Sequence, residues 1–276
     1  MRSIAVVNLK GGSGKTTTAL CLAVGAANRD LRVLLIDADP QSNATMTMLD
    51  GNPPDDPTLG HVLLDQADIR EAIRPTRVEG VDLIPSDARL ADAALLLADQ
   101  MGRERRLRSA MMTVDHEYDL IVMDAAPQLN LVGINLLNYA GELLVPVDAG
   151  LYSVAGLGRL QTSVDEVRKY LDNRSLRISG LVLTRAHNNR ATKDIERQLR
   201  EAFGPIVCQV VIPHSVKVEE AHAGHLTVLE FAPRSTPGRA YDRLVSEVLN
   251  DGHSEGSGDS ESSVRTDQAD YDADAA

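Results

Sequence analysis

Residues 8–18 read Asn-Leu-Lys-Gly-Gly-Ser-Gly-Lys-Thr-Thr-Thr. Just before them, Ile4-Ala5-Val6-Val7-Asn8 is a short apolar run of the buried-strand type, and just after them residues 16–29 carry helical periodicity. A strand, a glycine-rich turn and a helix in that order make a phosphate-binding loop. Gly11, Gly12 and Gly14 let the backbone bend so that several N–H groups point at one anion. The helix that follows adds the positive end of its dipole. Lys15 is spaced to reach the β- and γ-phosphates of a nucleotide, and the Thr16 hydroxyl to hold Mg²⁺. The expected nucleotide-binding set in the loop is Lys10, Gly11, Gly12, Ser13, Gly14, Lys15, Thr16 and Thr17.

The rest of the chain repeats the strand-and-helix alternation. Further strand candidates are 32–36, 81–84, 119–123, 142–147, 178–184 and 207–212. Helix-period segments lie near 88–114, 153–172 and 190–203, with a closing helix at 237–250. Continuous apolar strands alternating with helices predict an α/β fold in three layers: a doubly wound, mostly parallel sheet with helices on both faces. Residues 1–250 read as one domain, without internal repeats.

Two strands end in acids. Residues 34–45 read Leu-Leu-Ile-Asp-Ala-Asp-Pro-Gln-Ser-Asn-Ala-Thr, placing Asp37 and Asp39 where ligands bind in such sheets. An Asx-type turn, with Asp39 before Pro40 ending the strand, is the plainer alternative. Residues 118–127 read Tyr-Asp-Leu-Ile-Val-Met-Asp-Ala-Ala-Pro. Four apolar residues closing on Asp124 form a Walker B strand, whose acid is expected to hold Mg²⁺ through water.

Lys10 opens the loop as a second lysine, in Lys-Gly-Gly-x-Gly-Lys-Thr-Thr. This resembles the deviant Walker A motif of the ParA/MinD ATPase family, and the resemblance extends over roughly residues 1–250. It includes Ile212-Pro213-His214-Ser215-Val216-Lys217 and Leu144-Val145-Pro146-Val147. The resemblance implies ATP and Mg²⁺ as cofactors, a homodimer in the ATP state, and Lys10 reaching across to the partner's nucleotide. Such a lysine would make ATP the glue of the dimer and stabilise charge during phosphoryl transfer. It also implies that Asp39 orients the attacking water and that Asp37 acts near the Mg²⁺ shell, so that Lys10, Lys15 and Asp39 form the catalytic set. Thr184, Arg185 and Pro213 would hold the purine. A Pro-Pro pair usual after the Walker B acid is Ala126-Pro127 here.

No helix-turn-helix extension is expected before residue 1. The chain therefore resembles short, Soj-like ParA proteins, with non-specific DNA and a ParB-like stimulating protein as implied partners. A MinD-like division-site or positioning ATPase is the alternative. It would need a basic amphipathic C-terminal helix.

Charge bears on that choice. The 276 residues hold 28 Lys+Arg against 40 Asp+Glu, a net −12. The stretch 251–276 is acidic and rich in Gly and Ser, and reads as a disordered tail. Against this background Arg190, Lys193, Arg197 and Arg200 share one helix face, with Lys217 nearby, while Ile195, Leu199 and Phe203 face inward. A positive stripe on an acidic protein is the footprint of phosphate-backbone contact. Its plain counterpart is a solvated face with Glu196 and Arg200 paired at i, i+4.

Two distant cysteines, Cys21 and Cys208, form neither a metal pattern nor a disulfide framework, which argues against iron–sulfur relatives of the same scaffold. His214, His222 and His225 read as solvated or loop histidines. No apolar run is long enough for a membrane span. The expected location is cytoplasmic and nucleoid-associated, with no membrane partner.

Overall fold

The computed structural model describes residues 1–149 and 153–251. The expected tail lies, from residue 252 onward, outside the described residues. The strands are β1 (Arg2–Val6), β2 (Val33–Ala38), β3 (Arg74–Pro75), β4 (Val81–Ile84), β5 (Leu120–Ala125), β6 (Glu142–Asp148), β7 (Arg177–Ala186) and β8 (Val207–Pro213). The α-helices are α1 (Lys15–Ala27), α2 (Asn43–Met48), α3 (Leu59–Leu63), α4 (Ile69–Ala72), α5 (Leu90–Leu96) and α6 (Arg106–Met111), then α7 (Leu131–Tyr139), α8 (Ser153–Tyr170), α9 (Arg190–Phe203), α10 (Val216–Ala223), α11 (Val228–Phe231) and α12 (Thr236–Asp251).

The strands form one sheet in the order β3-β4-β2-β5-β1-β6-β7-β8. Every pairing is parallel except β3 with β4. Alternate residues of each strand enter opposite cores. Leu34 and Ile36 join one apolar cluster, and Val33 and Leu35 join the other. Burial on both faces explains why these strands are apolar without interruption. Each fully buried Leu or Ile contributes roughly 1.5–3 kcal/mol.

β1 lies at the sheet's turning point. Its neighbours are β5 on one side and β6 on the other, and the chain order runs away in both directions. Loops leaving the carboxyl ends of strands at such a point diverge, and the crevice between them is where ligands bind. Helix α1 leaves β1 through that crevice and is buried almost all round. Gly25 permits this, since a Cβ there would meet Val245 Cγ2 at 2.6 Å. The apolar face of α12, with Ala240, Leu244 and Val248, is buried with α1 in the same cluster.

The helix expected over 88–114 is broken. It becomes α5, two short 3₁₀ turns and α6, and Gly102 at φ 68° marks the break. Positive φ at that residue cannot continue a right-handed helix. Helices α2, α3, α4, α7, α10 and α11 lie outside the segments expected from periodicity. No helix among the described residues is long and apolar enough to cross a membrane.

Candidate functional site

The loop between β1 and α1 is pinned from three sides. The Asn8 amide donates to the Pro146 carbonyl at 2.6 Å, while its Oδ1 accepts the Lys10 N–H. The Thr184 hydroxyl donates to the Ser13 carbonyl at 2.8 Å, and Arg185 Nη1 to the Gly12 carbonyl at 2.9 Å. Gly12 (φ 72°) and Gly14 (φ 86°) occupy left-handed backbone, and Gly14 caps α1. These glycines are required by conformation; Gly11 has no such φ and open space about its Cα. Carbonyls turned back to Thr184 and Arg185 leave the loop amides facing the other way, the arrangement of an anion nest.

Beside the loop is a cavity of about 520 Å³. Of the residues expected to bind nucleotide, Gly11, Gly12, Gly14, Lys15, Thr16, Thr17, Thr184, Arg185 and Pro213 line it, as does Asp39. Ser13 is buried behind the loop, its hydroxyl without a partner among the described residues. Burial pulls the Lys15 ammonium below its ordinary pKa, and the charges of Asp124 and Asp39 pull it back up. Lys10 faces elsewhere: its Nζ lies 2.7 Å from Asp148 Oδ2, and it does not line the cavity of its own chain.

The three acids differ. Asp39 lines the cavity, and its Oδ1 accepts the Gln41 N–H, so the Asx turn expected as the plainer alternative is present as well. Asp37 is fully buried, and its oxygens are taken by the Thr45 amide (2.8 Å), the Thr45 hydroxyl (2.7 Å) and the Asp39 amide (3.1 Å). It locks α2 onto β2, and does not line the cavity. Asp124 pairs in register with Asp37 across β2 and β5. It is wholly buried, and neither carboxylate oxygen has a well-formed hydrogen bond among the described residues, the Thr16 hydroxyl being the group placed to give it one. Burial, then the neighbouring Asp37, push its pKa well above the usual carboxylate range; the Thr16 hydroxyl and Lys15 act against them.

An unsatisfied buried carboxylate is costly, and proteins keep one where something charged is to meet it. Asp124 does not line the cavity either, but with the Thr16 hydroxyl, which does, it forms an all-oxygen donor pair behind the loop that fits Mg²⁺ retaining most of its water. Among the described residues no group of three or more His, Cys, Asp or Glu is placed to hold a metal ion, so the fit rests on one carboxylate, a hydroxyl and water.

Part of the cavity wall was invisible in the sequence. Asn43, Met46 and Thr47 come from α2, and Val218, Glu219 and His222 from α10. His222 Nε2 lies 3.1 Å from Thr17 Oγ1, so this histidine, though solvent-exposed as expected, stands on a helix at the wall of the site and not in a loop. Ser215, whose hydroxyl accepts the Lys217 N–H as the α10 cap, is the local signal that could have located that helix.

The basic residues of α9 lie apart from this cavity. Arg190 is almost fully exposed, 3.8 Å from Asp194. Arg197 bridges Asp194 and Glu201. Arg200 binds Glu196 and the carbonyls of Val207 and Cys208. Lys217 pairs with Glu220 at 2.6 Å. Lys193 is exposed, with no ion pair among the described residues.

A parallel sheet with a glycine nest at its turning point, a buried lysine and a strand-end acid defines a P-loop nucleotide-binding protein. The AAA domain family model (AAA_31) matches residues 1–178. Sporulation initiation inhibitor protein Soj of Bacillus subtilis is 36% identical over 251 residues, covering 90% of this chain and 98% of that one. Chromosome-partitioning ATPase Soj of Thermus thermophilus is 37% identical, covering 90% and 96%. Cobyrinic acid a,c-diamide synthase from Mycobacterium smegmatis, solved with an ATP analog and magnesium, superposes with a TM-score of 0.79 at 26% identity, covering 92% and 97%. The chain belongs to the AAA_31 family and, within it, to the ParA/MinD-type P-loop ATPases.

Proposed function

We propose that this chain is a partition ATPase of the ParA type, binding Mg-ATP at the β1–α1 loop and hydrolysing it. The observation that carries the reading is Asp124, a buried carboxylate at the strand end behind the loop, with no well-formed hydrogen bond and only the Thr16 hydroxyl beside it. Loop amides and Lys15 hold the terminal phosphates; Asp124 and the Thr16 hydroxyl hold Mg²⁺, which supplies charge neutralisation at those phosphates. Asp37 supports this pair from behind, since its own oxygens are engaged with Thr45 and Asp39. Asp39, at the cavity wall, orients the attacking water. Thr184, Arg185 and Pro213 wall the end of the cavity that takes the base.

ATP then joins two copies. Lys10 reaches the partner's phosphates, giving up its ion pair with Asp148. The joined protomers present α9 twice, and two weak phosphate-binding faces on one body bind DNA far better than one. Arg190 and Lys193, at the start of α9, are best placed for phosphates, because Lys193 has no ion pair among the described residues and the almost fully exposed Arg190 only a long one to Asp194, whereas Arg197, Arg200 and Lys217 are held closer by acids of their own helices. A ParB-like partner stimulates hydrolysis and resets the cycle on the nucleoid. The test is DNA binding with and without ATP at several salt concentrations. ATP-dependent, sequence-independent binding that weakens with salt is the expected result. Binding indifferent to ATP would overturn the coupling of the two sites.

A further inference from the structure

The α10 wall of the cavity has no counterpart in the loop motif. Val218, Glu219 and His222 lie at i, i+1 and i+4, and all three line the cavity. α10 leaves the carboxyl end of β8 directly, with Ser215 as its cap, so its position is fixed by the sheet. Two turns in, His222 comes back over the first turn of α1 and meets the Thr17 hydroxyl. Thr17 follows the residue placed at the Mg²⁺ ion. A nucleotide with its terminal phosphates in the Gly12–Lys15 nest and its base near Pro213 has to run along this wall.

We propose that His222 is a nucleotide-contacting residue of this chain, holding the Thr17 hydroxyl in the free protein and taking up a proton when a nucleotide's phosphates arrive. The proposal rests on the nucleotide reading above and adds to it a second, titratable anchor. In the free protein, partial desolvation of the ring, in a residue still exposed to solvent, draws the imidazole pKa below its ordinary value, with Glu219 acting the other way. The ring then stands neutral at neutral pH, sharing one hydrogen bond with Thr17. Several negative charges entering the cavity favour the imidazolium form, so the bound-state pKa lies above the free-state one.

Other charges around the cavity set the balance. Lys15 from α1 and Arg185 from β7 oppose protonation, as would His214 and His225 if charged; Asp39 and Glu219 favour it. Glu230 of α11 is tied to Arg77, and Tyr241 of α12 is kept neutral by burial. None of the cations touches the His222 ring in a recorded contact, whereas the Thr17 hydroxyl does.

The linkage has a definite sign. The extra affinity is fully present below the free-state pKa and is lost as pH rises through the bound-state pKa. The slope is at most about tenfold in Kd per pH unit. The test is calorimetric titration of the full chain with Mg-ADP between pH 5.5 and 8.5, in buffers of different ionisation enthalpy. The wild type should take up more protons on binding than His222→Gln does, and its affinity should fall several-fold more steeply with pH. Protons released by the nucleotide itself are common to both proteins and cancel in the difference.

Glutamine can still bond the Thr17 hydroxyl, so that variant separates titration from simple support. His116→Asn, at an exposed position that does not line the cavity, should keep the wild-type proton uptake. Equal proton uptake by wild type and His222→Gln, both binding Mg-ADP, would overturn the proposal while leaving the nucleotide site intact. A wild type that binds no Mg-ADP at any pH would overturn the nucleotide reading, and this proposal with it.

Discussion

Asp124→Asn should make the nucleotide-free protein more stable and its Mg²⁺ site useless. The wild-type carboxylate is fully buried, without a well-formed hydrogen bond beyond the nearby Thr16 hydroxyl, and in register with the buried Asp37. Burial and that neighbour both disfavour its charge. The amide has the same shape without the charge. Leaving a buried polar group unsatisfied costs roughly 1–3 kcal/mol, and more for a charged one. Relieving about 2 kcal/mol of that would raise the melting temperature of a chain this size by roughly 4–8 °C.

With ligand the order reverses. A ligand at a hundred times its Kd adds about 2.7 kcal/mol to the wild type. If Asp124 holds Mg²⁺, the magnesium-dependent share of that gain disappears in the variant. The assay is thermal melting of both proteins with EDTA, with Mg²⁺, and with Mg-ADP. A variant that melts at or below the wild type in EDTA would show that Asp124 is satisfied after all. A variant that still gains as much from Mg²⁺ plus ADP would show that the ion is held elsewhere.

Three shorter predictions concern other parts of the same frame. Asp39→Ala should keep ATP binding, measured with a fluorescent nucleotide, and lose phosphate release; unchanged turnover would remove Asp39 from the water-orienting role. Gly14→Ala puts a Cβ on backbone at φ 86°, costing about 1–2 kcal/mol of strain, so nucleotide affinity should fall by roughly 5- to 30-fold if the bound loop keeps that backbone and the free loop relaxes. The buried Glu142 carboxyl is raised by burial, but the Arg2 guanidinium at 2.8 Å and Arg177 outweigh this and hold its pKa below the ordinary value. Its contribution is therefore present above the unfolded-state pKa of roughly 4.3 and is lost as pH falls through the depressed folded value. Arg2→Ala should cost about 1.5–3 kcal/mol in urea unfolding at pH 7, with the gap narrowing toward pH 3. A gap equally wide at both pH values would refute the ion pair as its source.

What the sequence disclosed follows from range. Strands such as Leu34–Ile36 and Ile121–Met123 face apolar layers on both sides, so their composition alone marks them. The loop was legible because glycine at Gly12 and Gly14 answers a backbone requirement. α7 escaped because Gly133, Asn135 and Asn138 interrupt its apolar pattern, although Asn130, which accepts the Val132 and Gly133 amides, is a visible cap. β3 is two residues long and contains Pro75, below any periodic signal. The cavity wall from α2 and α10 joins residues some 175 positions apart, and nothing local in either segment records that they meet. The environment of Asp37 was also hidden, because Thr45, eight residues away, takes both lone-pair directions of one oxygen.

The α9 stripe shows the limit of spacing most clearly, and it yields the sharpest test of the DNA reading. Helical spacing places Arg190, Lys193, Arg197 and Arg200 alike, yet the fold uses them differently. Arg200 spans Glu196 and two carbonyls at the start of β8, so Arg200→Ala should act on stability, by about 1–3 kcal/mol, more than on DNA. Arg190 and Lys193 have little folded structure to support. Replacing both with Ala should leave melting within about 0.5 kcal/mol of wild type. If each meets one phosphate, the salt slope of DNA binding should shallow by roughly 1.8 per protomer, uniformly across sequences. An unchanged slope in that pair, with a lowered one in Arg200→Ala, would mean that the helix meets DNA by its other side or not at all.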